Sequence, residues 1–179
     1  MPPISPSKAG DDRPIALVGL PGVGKSTLGA LLAEQLGWEV RDTDALLESR
    51  MGCRISDYVA SRGWAVFRHE ESCLLSEVVG FHRSVLATGG GIVEKEENRR
   101  LLGTRTRVVW LRAGSATLLA RLGENGDDRP LLRDDPDRNL RELALRRNRW
   151  YAELAEWVVE TDRGSFRSLV QQIITHFGL

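Results

Sequence analysis

The chain has 179 residues, enough for one domain with its own core and too few for two of ordinary size. Apolar residues make up 41% and charged residues 28%, which excludes disordered, collagen-like and fibrous classes, and 25 basic against 25 acidic residues leave no broad footprint for nucleic acid. No stretch approaches the roughly 20 apolar residues that span a bilayer, and the two cysteines, Cys53 and Cys73, make no disulfide framework, so a cytoplasmic setting is expected.

Residues 1–14 are rich in Pro, Ser and Asp without an apolar run, and read as a flexible tail rather than a secretory signal. The domain is expected over 15–179. A short apolar run at 15–18 reads as a buried strand. After a Gly-rich turn, Leu28, Leu31, Leu32 and Leu36 share one face of a helix over 25–36, with Gly37 as its C-cap. A strand is expected at 39–42, a helix at 43–50, a helix capped by Ser56, and a longer helix over 67–79. A strand at 84–88 ends in Gly89-Gly90-Gly91. A helix over 95–102 with Gly103 past its end, a strand at 107–111 and a helix at 115–122 follow. The stretch 123–137 is polar and aperiodic, the pattern of a lid. A helix at 139–154, a strand at 157–160 and a helix at 165–177 close the chain. Strands alternating with helices imply right-handed crossovers and a three-layer α/β/α sandwich around a parallel sheet of about five strands.

Five features carry chemistry. Gly19-Leu20-Pro21-Gly22-Val23-Gly24-Lys25-Ser26 follows a strand and opens a helix, the pattern and context of a phosphate-binding loop. Its glycines let backbone N–H groups converge on phosphate oxygens, and the helix N-terminus adds partial positive charge. Lys25 can reach the β- and γ-phosphates, and the Ser26 hydroxyl can ligate Mg²⁺. Asp42 and Asp44 stand at the end of the second strand, on the same side as that loop. One carboxylate can hold Mg²⁺ through water and the other can accept a substrate hydroxyl; an ordinary helix cap is the competing reading. In Phe67-Arg68-His69-Glu70-Glu71, Arg68 and Glu71 face each other on a helix, either as a surface ion pair or as an Arg aimed at an anionic substrate. The triple glycine is read as close backbone approach to a ligand, with a flexible turn as the alternative. Arg129, within Arg-Pro-Leu-Leu of the lid stretch, can act as a finger on a transferring phosphoryl group. The histidines and cysteines show no metal-ligand spacing, and the five Trp read as packing residues.

Taken in order from about Ile15 to Phe177, these segments resemble the shikimate kinase family of nucleoside-monophosphate-kinase-like P-loop kinases. They are the phosphate loop, Asp42-x-Asp44, Phe67-Arg68-x-x-Glu71, Gly89 to Gly91, Arg129-Pro-Leu-Leu, and Arg147-Asn-Arg-Trp-Tyr151. The resemblance implies a five-stranded parallel sheet in the order 2-3-1-4-5 and an ATP-dependent phosphotransfer to the 3-hydroxyl of shikimate in the aromatic amino acid pathway. It implies ATP at Gly22, Val23, Gly24, Lys25, Ser26, Thr27, Arg121 and Arg129, with Arg121 stacking on adenine. It implies one Mg²⁺ ion at Ser26 and Asp42, shikimate at Asp44, Arg68, Arg147 and Gly89, Gly90 and Gly91, and catalytic roles for Lys25, Asp44 and Arg129. The family's Gly-Glu before Phe-Arg is here Gly63-Trp64-Ala65, and the adenine-side loop after Thr161-Asp162 lacks the usual Pro. ATP and shikimate are the expected partners of a monomer that binds neither nucleic acid nor membrane. Two other readings remain: a kinase of another carboxylated metabolite, such as gluconate, and a non-catalytic ligand sensor on the same fold.

Overall fold

Five strands lie parallel in one sheet: β1 (Ile15–Val18), β2 (Glu39–Asp42), β3 (Ser84–Ala87), β4 (Arg107–Arg112) and β5 (Trp157–Glu160), in the order β2-β3-β1-β4-β5. The computed structural model describes residues 11–124 and 135–179. Every residue of β1 and β3 is buried, as a strand covered on both faces requires. The helices are α1 (Lys25–Leu36), α2 (Thr43–Met51), α3 (Ile55–Arg62), α4 (Trp64–Val78), α5 (Glu96–Arg105), α6 (Ser115–Glu124), α7 (Pro136–Leu154) and α8 (Phe166–Phe177). Helices α1 and α8 pack together, and α4, α5 and α7 pack together around the other side of the core. The expected three-layer sandwich and strand order are both present.

Local chemistry explains several shifted boundaries. Gly103 lies inside α5 rather than past it; the helix runs on until Thr106, whose hydroxyl and N–H both donate to the Leu102 carbonyl. Ser56 is not the cap of α3. The helix starts one residue before it, and the Ile55 N–H donates to Glu48 Oε1, so α2 supplies the acceptor from outside. Helix α4 begins at Trp64, three residues early, because Gly63 at φ +82° both ends α3 and starts α4. Residues Ile92–Glu94 form a 3₁₀ turn that the sequence pattern had not marked. Residues 11–14, expected in a flexible tail, are tied down. Arg83 N–H donates to Asp12 O, Arg107 N–H donates to Pro14 O, and Arg13 pairs with Asp11. Residues 1–10 lie outside the described residues. Of the expected lid 123–137, Pro136 opens α7 in the first helical turn, with Asp135 as its side-chain cap, and Gly123 belongs to α6. Residues 125–134, with Arg129, lie outside the described residues.

The core is continuous from β1 and β4 through Leu102, Tyr151 and Ile173. Ile173 has no solvent exposure, so Ile173→Ala is expected to cost about 2–5 kcal/mol, the usual cost of emptying such a site. Urea unfolding measures this; a loss below about 1 kcal/mol would show that α8 is not held by this contact.

Candidate active site

The turn from β1 into α1 is shaped by glycine. Gly22 and Gly24 have φ of +78° and +96°, and a Cβ at Gly24 would lie 2.6 Å from the Phe166 ring. Only glycine meets both demands without strain. Gly24 then caps α1 with no side chain, and the first turn carries no acidic residue, so its N–H groups and positive dipole end stay available for an anion. The buried Lys25 arches back over the loop, donating to the carbonyls of Gly19 and Leu20 at 3.0 Å each. Those bonds hold the ammonium at the rim of the turn.

Asp42, at the end of β2, is a helix cap and also contacts the phosphate loop. Oδ1 accepts the N–H groups of Asp44 and Ala45 and caps α2, while Oδ2 accepts the Ser26 hydroxyl at 2.5 Å. The result is a pair of hard oxygens beside the phosphate loop, a donor set suited to Mg²⁺. Among the described residues no group of three or more His, Cys, Asp or Glu forms a metal cage. Gly22, Gly24, Lys25, Ser26, Thr27, Asp42, Asp44 and Thr88 line a cleft of about 300 Å³, closed at one end by Arg121 and Phe166. Val23, between the loop glycines, is fully buried.

Arg121, read from the sequence as an adenine contact, is anchored at that end. Its guanidinium donates to Thr161 Oγ1 at 3.0 Å and Thr161 O at 2.7 Å and stacks 5.4 Å from the Phe166 ring. The flat face of the guanidinium and the Phe166 ring bound one end of the cleft. Phe166 was missed by sequence reading because its contact with Gly24 is purely tertiary.

The triple glycine forms a turn, closed by the Ile92 N–H donating to Gly89 O at 3.1 Å, and the same bare positions admit charge. None of Gly89, Gly90 and Gly91 has positive φ among the described residues. A Cβ at Gly89 would lie 2.6 Å from Asp44 Oδ1 and 3.0 Å from Glu71 Oε1; at Gly90, 3.4 Å from Arg147 Nη1; at Gly91 it would collide with the Arg68 guanidinium. Three bare Cα atoms thus seat the four charged side chains. The Gly89 N–H donates to Thr43 Oγ1 and the Tyr151 hydroxyl donates to Gly90 O, which fixes the strip from both sides.

Arg68 donates to Glu71 at 2.8 Å in an ion pair that is not on the surface: Glu71 is fully buried while Arg68 keeps an exposed edge. Burial raises the Glu71 carboxyl to about 7, although Arg68 pulls it down; Asp44 adds to the rise and Arg147 opposes it. Burial also pushes the Tyr151 hydroxyl up, keeping it a neutral donor. Arg147, on α7, is 1% exposed and donates through Nε and Nη2 to Glu94 Oε1 at 2.9 and 2.7 Å. Glu94, on the 3₁₀ turn, was not singled out by sequence reading. Ala65, where the family's Glu would stand, is exposed on the first turn of α4, away from this cluster. Cys53 and Cys73 are free thiols, and Trp110 is buried in the core.

Comparison with known proteins fits this geometry. A shikimate kinase family model matches residues 21–177. The shikimate kinase of Bordetella avium is 42% identical over 164 residues, 91% of this chain and 78% of that protein. That of Halorhodospira halophila is 42% identical over 161 residues, 89% and 90% of the two chains. The structure of shikimate kinase from Acinetobacter baumannii in complex with shikimate matches with a TM-score of 0.88 at 38% identity, over 95% of this chain and 96% of that one. A gluconokinase from Sinorhizobium meliloti matches at a TM-score of 0.56 and 16% identity, a likeness of fold alone. With a family model spanning most of its length and relatives at about 40% identity, the chain belongs to the shikimate kinase family.

Proposed function

We propose that the protein transfers the γ-phosphoryl group of ATP to the 3-hydroxyl of shikimate. The observation that carries this reading is the meeting, at one end of a parallel sheet, of a phosphate loop and a cradle of Arg68, Arg147 and Asp44 over the glycine strip. The loop takes the nucleotide's phosphates, the two arginines take the acceptor's carboxylate, and Asp44 takes the hydroxyl. Gluconate is also a carboxylated polyol, so the acceptor must be tested directly.

Phosphoryl transfer asks chiefly for alignment and charge neutralisation. In the assigned step the acceptor oxygen bonds to the γ-phosphorus as the bridging bond to the β-phosphate breaks, the hydroxyl proton passes to Asp44, and ADP leaves. Lys25, released from the loop carbonyls, follows the charge that develops on the phosphoryl oxygens. Arg129 is assigned to the same phosphates, and Arg121 with Phe166 to the adenine ring. Mg²⁺ held by Ser26 and, through water, by Asp42 would neutralise charge between the phosphates. The buried Arg147 and Glu71 keep the acceptor cradle rigid, so little ordering is left to the moment of binding. No helix among the described residues is long and apolar enough to cross a membrane, which accords with the proposed cytoplasmic setting. A monomer is the assembly assigned.

A coupled ADP-release assay with shikimate, quinate, gluconate and nucleoside monophosphates tests the acceptor. Turnover is expected with shikimate at least about a hundredfold above the others, since a cradle built for one set of polar groups rejects analogues lacking them. Equal or better turnover with gluconate overturns the assignment, and nucleotide binding without any turnover favours the sensor reading.

Lys25→Ala is expected to lower kcat about 10²–10³-fold in a folded protein, the effect of removing one preorganised charge from the transition state. Near-normal kcat would refute the role of Lys25. Arg68→Ala, and Arg147→Lys at the fully buried position, should raise the KM for shikimate about tenfold or more while leaving that for ATP alone. A rise in the ATP KM instead would place these arginines on the other ligand.

Glu71 sets a pH dependence of stability. Its carboxyl lies at about 7 in the folded protein against 4.5 as a model group, so folding favours the neutral form. The stability it contributes is complete below about 4.5 and is lost as pH rises through about 7. Glu71→Gln should therefore gain stability relative to the parent over that window in urea titrations. A constant difference across it would show that Glu71 is ionised throughout.

A further inference from the structure

Glu94 already occupies the place assigned to the acceptor's carboxylate. Its Oε1 accepts from Arg147 Nε and Nη2 at 2.9 and 2.7 Å and from Arg146 Nη2 at 3.0 Å, and its Oε2 lies 3.6 Å from Arg68 Nη2. The two arginines read as carboxylate ligands are thus bridged by a carboxylate of the chain itself.

Two carboxylates touch this cradle, and they differ. Glu71 is 1% exposed, pinned under Arg68 and beside Gly89, with no route out. Glu94 keeps 21% of its side chain exposed and stands on the 3₁₀ turn at the rim. That turn is held by its backbone, independently of the Glu94 side chain. The Glu94 N–H donates to Gly91 O, Asn98 Nδ2 donates to Ile92 O at 3.0 Å, and Arg99 Nη1 donates to Val93 O at 2.7 Å. The carboxylate can swing toward solvent while the turn stays in place. Although burial works against its charge, Arg147, Arg68 and Arg146 hold the Glu94 carboxyl below its ordinary range, so it is an anion at neutral pH.

We propose that Glu94 is an internal stand-in for the acceptor's carboxylate: it bridges Arg147 and Arg68 in the free protein and is exchanged for that carboxylate on binding. Rotation of one side chain accomplishes the exchange, with no bond made or broken. It has a consequence for specificity. A ligand bringing its own carboxylate restores both arginine contacts as Glu94 leaves. A neutral polyol that dislodges Glu94 leaves Arg147, 1% exposed, without its partner, a costly state for a buried charge. A neutral ligand therefore leaves Glu94 on the arginines, and only a ligand with its own carboxylate competes for that place. This inference rests on the reading that Arg68 and Arg147 hold the acceptor's carboxylate.

The test compares shikimate with its methyl ester, which keeps the ring and hydroxyls but lacks the charge. In Glu94→Gln, nearly isosteric and uncharged, the Kd and KM for shikimate are expected to fall about threefold to tenfold, the scale of relieving one charge-assisted pair. The gain is confined to shikimate: the KM for ATP does not follow it, and the ester does not gain. Glu94→Ser, which shortens the side chain, should show the same direction, and thermal unfolding of both variants checks the fold. Unchanged or weaker shikimate binding in the folded variants overturns the proposal and makes Glu94 a permanent prop of Arg147. An equal gain for acid and ester also overturns it, leaving only a steric plug. A parent protein that turns over gluconate and not shikimate defeats the underlying reading. Turnover of shikimate without a gain in Glu94→Gln defeats this inference alone.

Discussion

The site depends on three consecutive positions without a Cβ. Gly89, Gly90 and Gly91 follow strand β3, between β2 and the central β1, and the volume that three side chains would fill is taken by Asp44, Glu71, Arg147 and Arg68. Charged groups rarely leave water without partners. Here Glu71 is the partner of Arg68 and Glu94 that of Arg147, while the Tyr151 hydroxyl donates to the Gly90 carbonyl. Helix α4 must present Arg68 and Glu71 on one side, α7 must bring Arg147 and Tyr151 one turn apart, and α2 must end its approach at Asp44.

The sheet explains why nucleotide and acceptor meet. Strands β1, β2 and β3 are neighbours and parallel, so their carboxyl ends lie on one edge. β1 delivers the phosphate loop, β2 delivers Asp42 and Asp44, and β3 delivers the glycine strip. Asp42 joins the two halves, since one oxygen caps α2 and the other reaches Ser26 on α1. The cap orients the metal-facing oxygen at no further cost in side-chain ordering. The carboxyl of Glu71 shows the opposite economy: burial raises it to about 7, so it is only partly ionised near neutral pH and orients Arg68 without cancelling its full charge.

Much of this was legible in the residues. β1, α1, β2 and β5 were bounded correctly because short apolar runs and glycine caps leave few alternatives, and Gly37 ends α1 in the left-handed conformation its identity implied. The residues of the phosphate loop and the cradle were also named, through their order along the chain. Their reasons were less visible. The glycine strip was read as space for a ligand, because nothing local says that Arg68 and Asp44 will lean on it. Glu94 follows the glycines on a 3₁₀ turn too short to show periodicity, and only the fold brings Arg147 to it across 53 positions. Phe166 acts through a contact between distant elements, as do the anchors of residues 11–14, and a local pattern holds no signal for such contacts; Glu48 reaches the Ile55 N–H only seven residues on, across the break between α2 and α3.

The claim that the glycine strip is the seat of the acceptor cradle is tested most directly by Gly91→Ala. Its backbone, at φ −88° and ψ −1°, accepts alanine without strain, so the new methyl acts only by displacing the flexible end of Arg68. Calorimetric titration should then show shikimate binding weakened by about tenfold or more, the loss of a charge-assisted contact, while a non-hydrolysable ATP analogue binds as in the parent and the unfolding temperature holds. Shikimate binding equal to the parent's would contradict the account, because the acceptor would then not depend on the space that Gly91 leaves for Arg68.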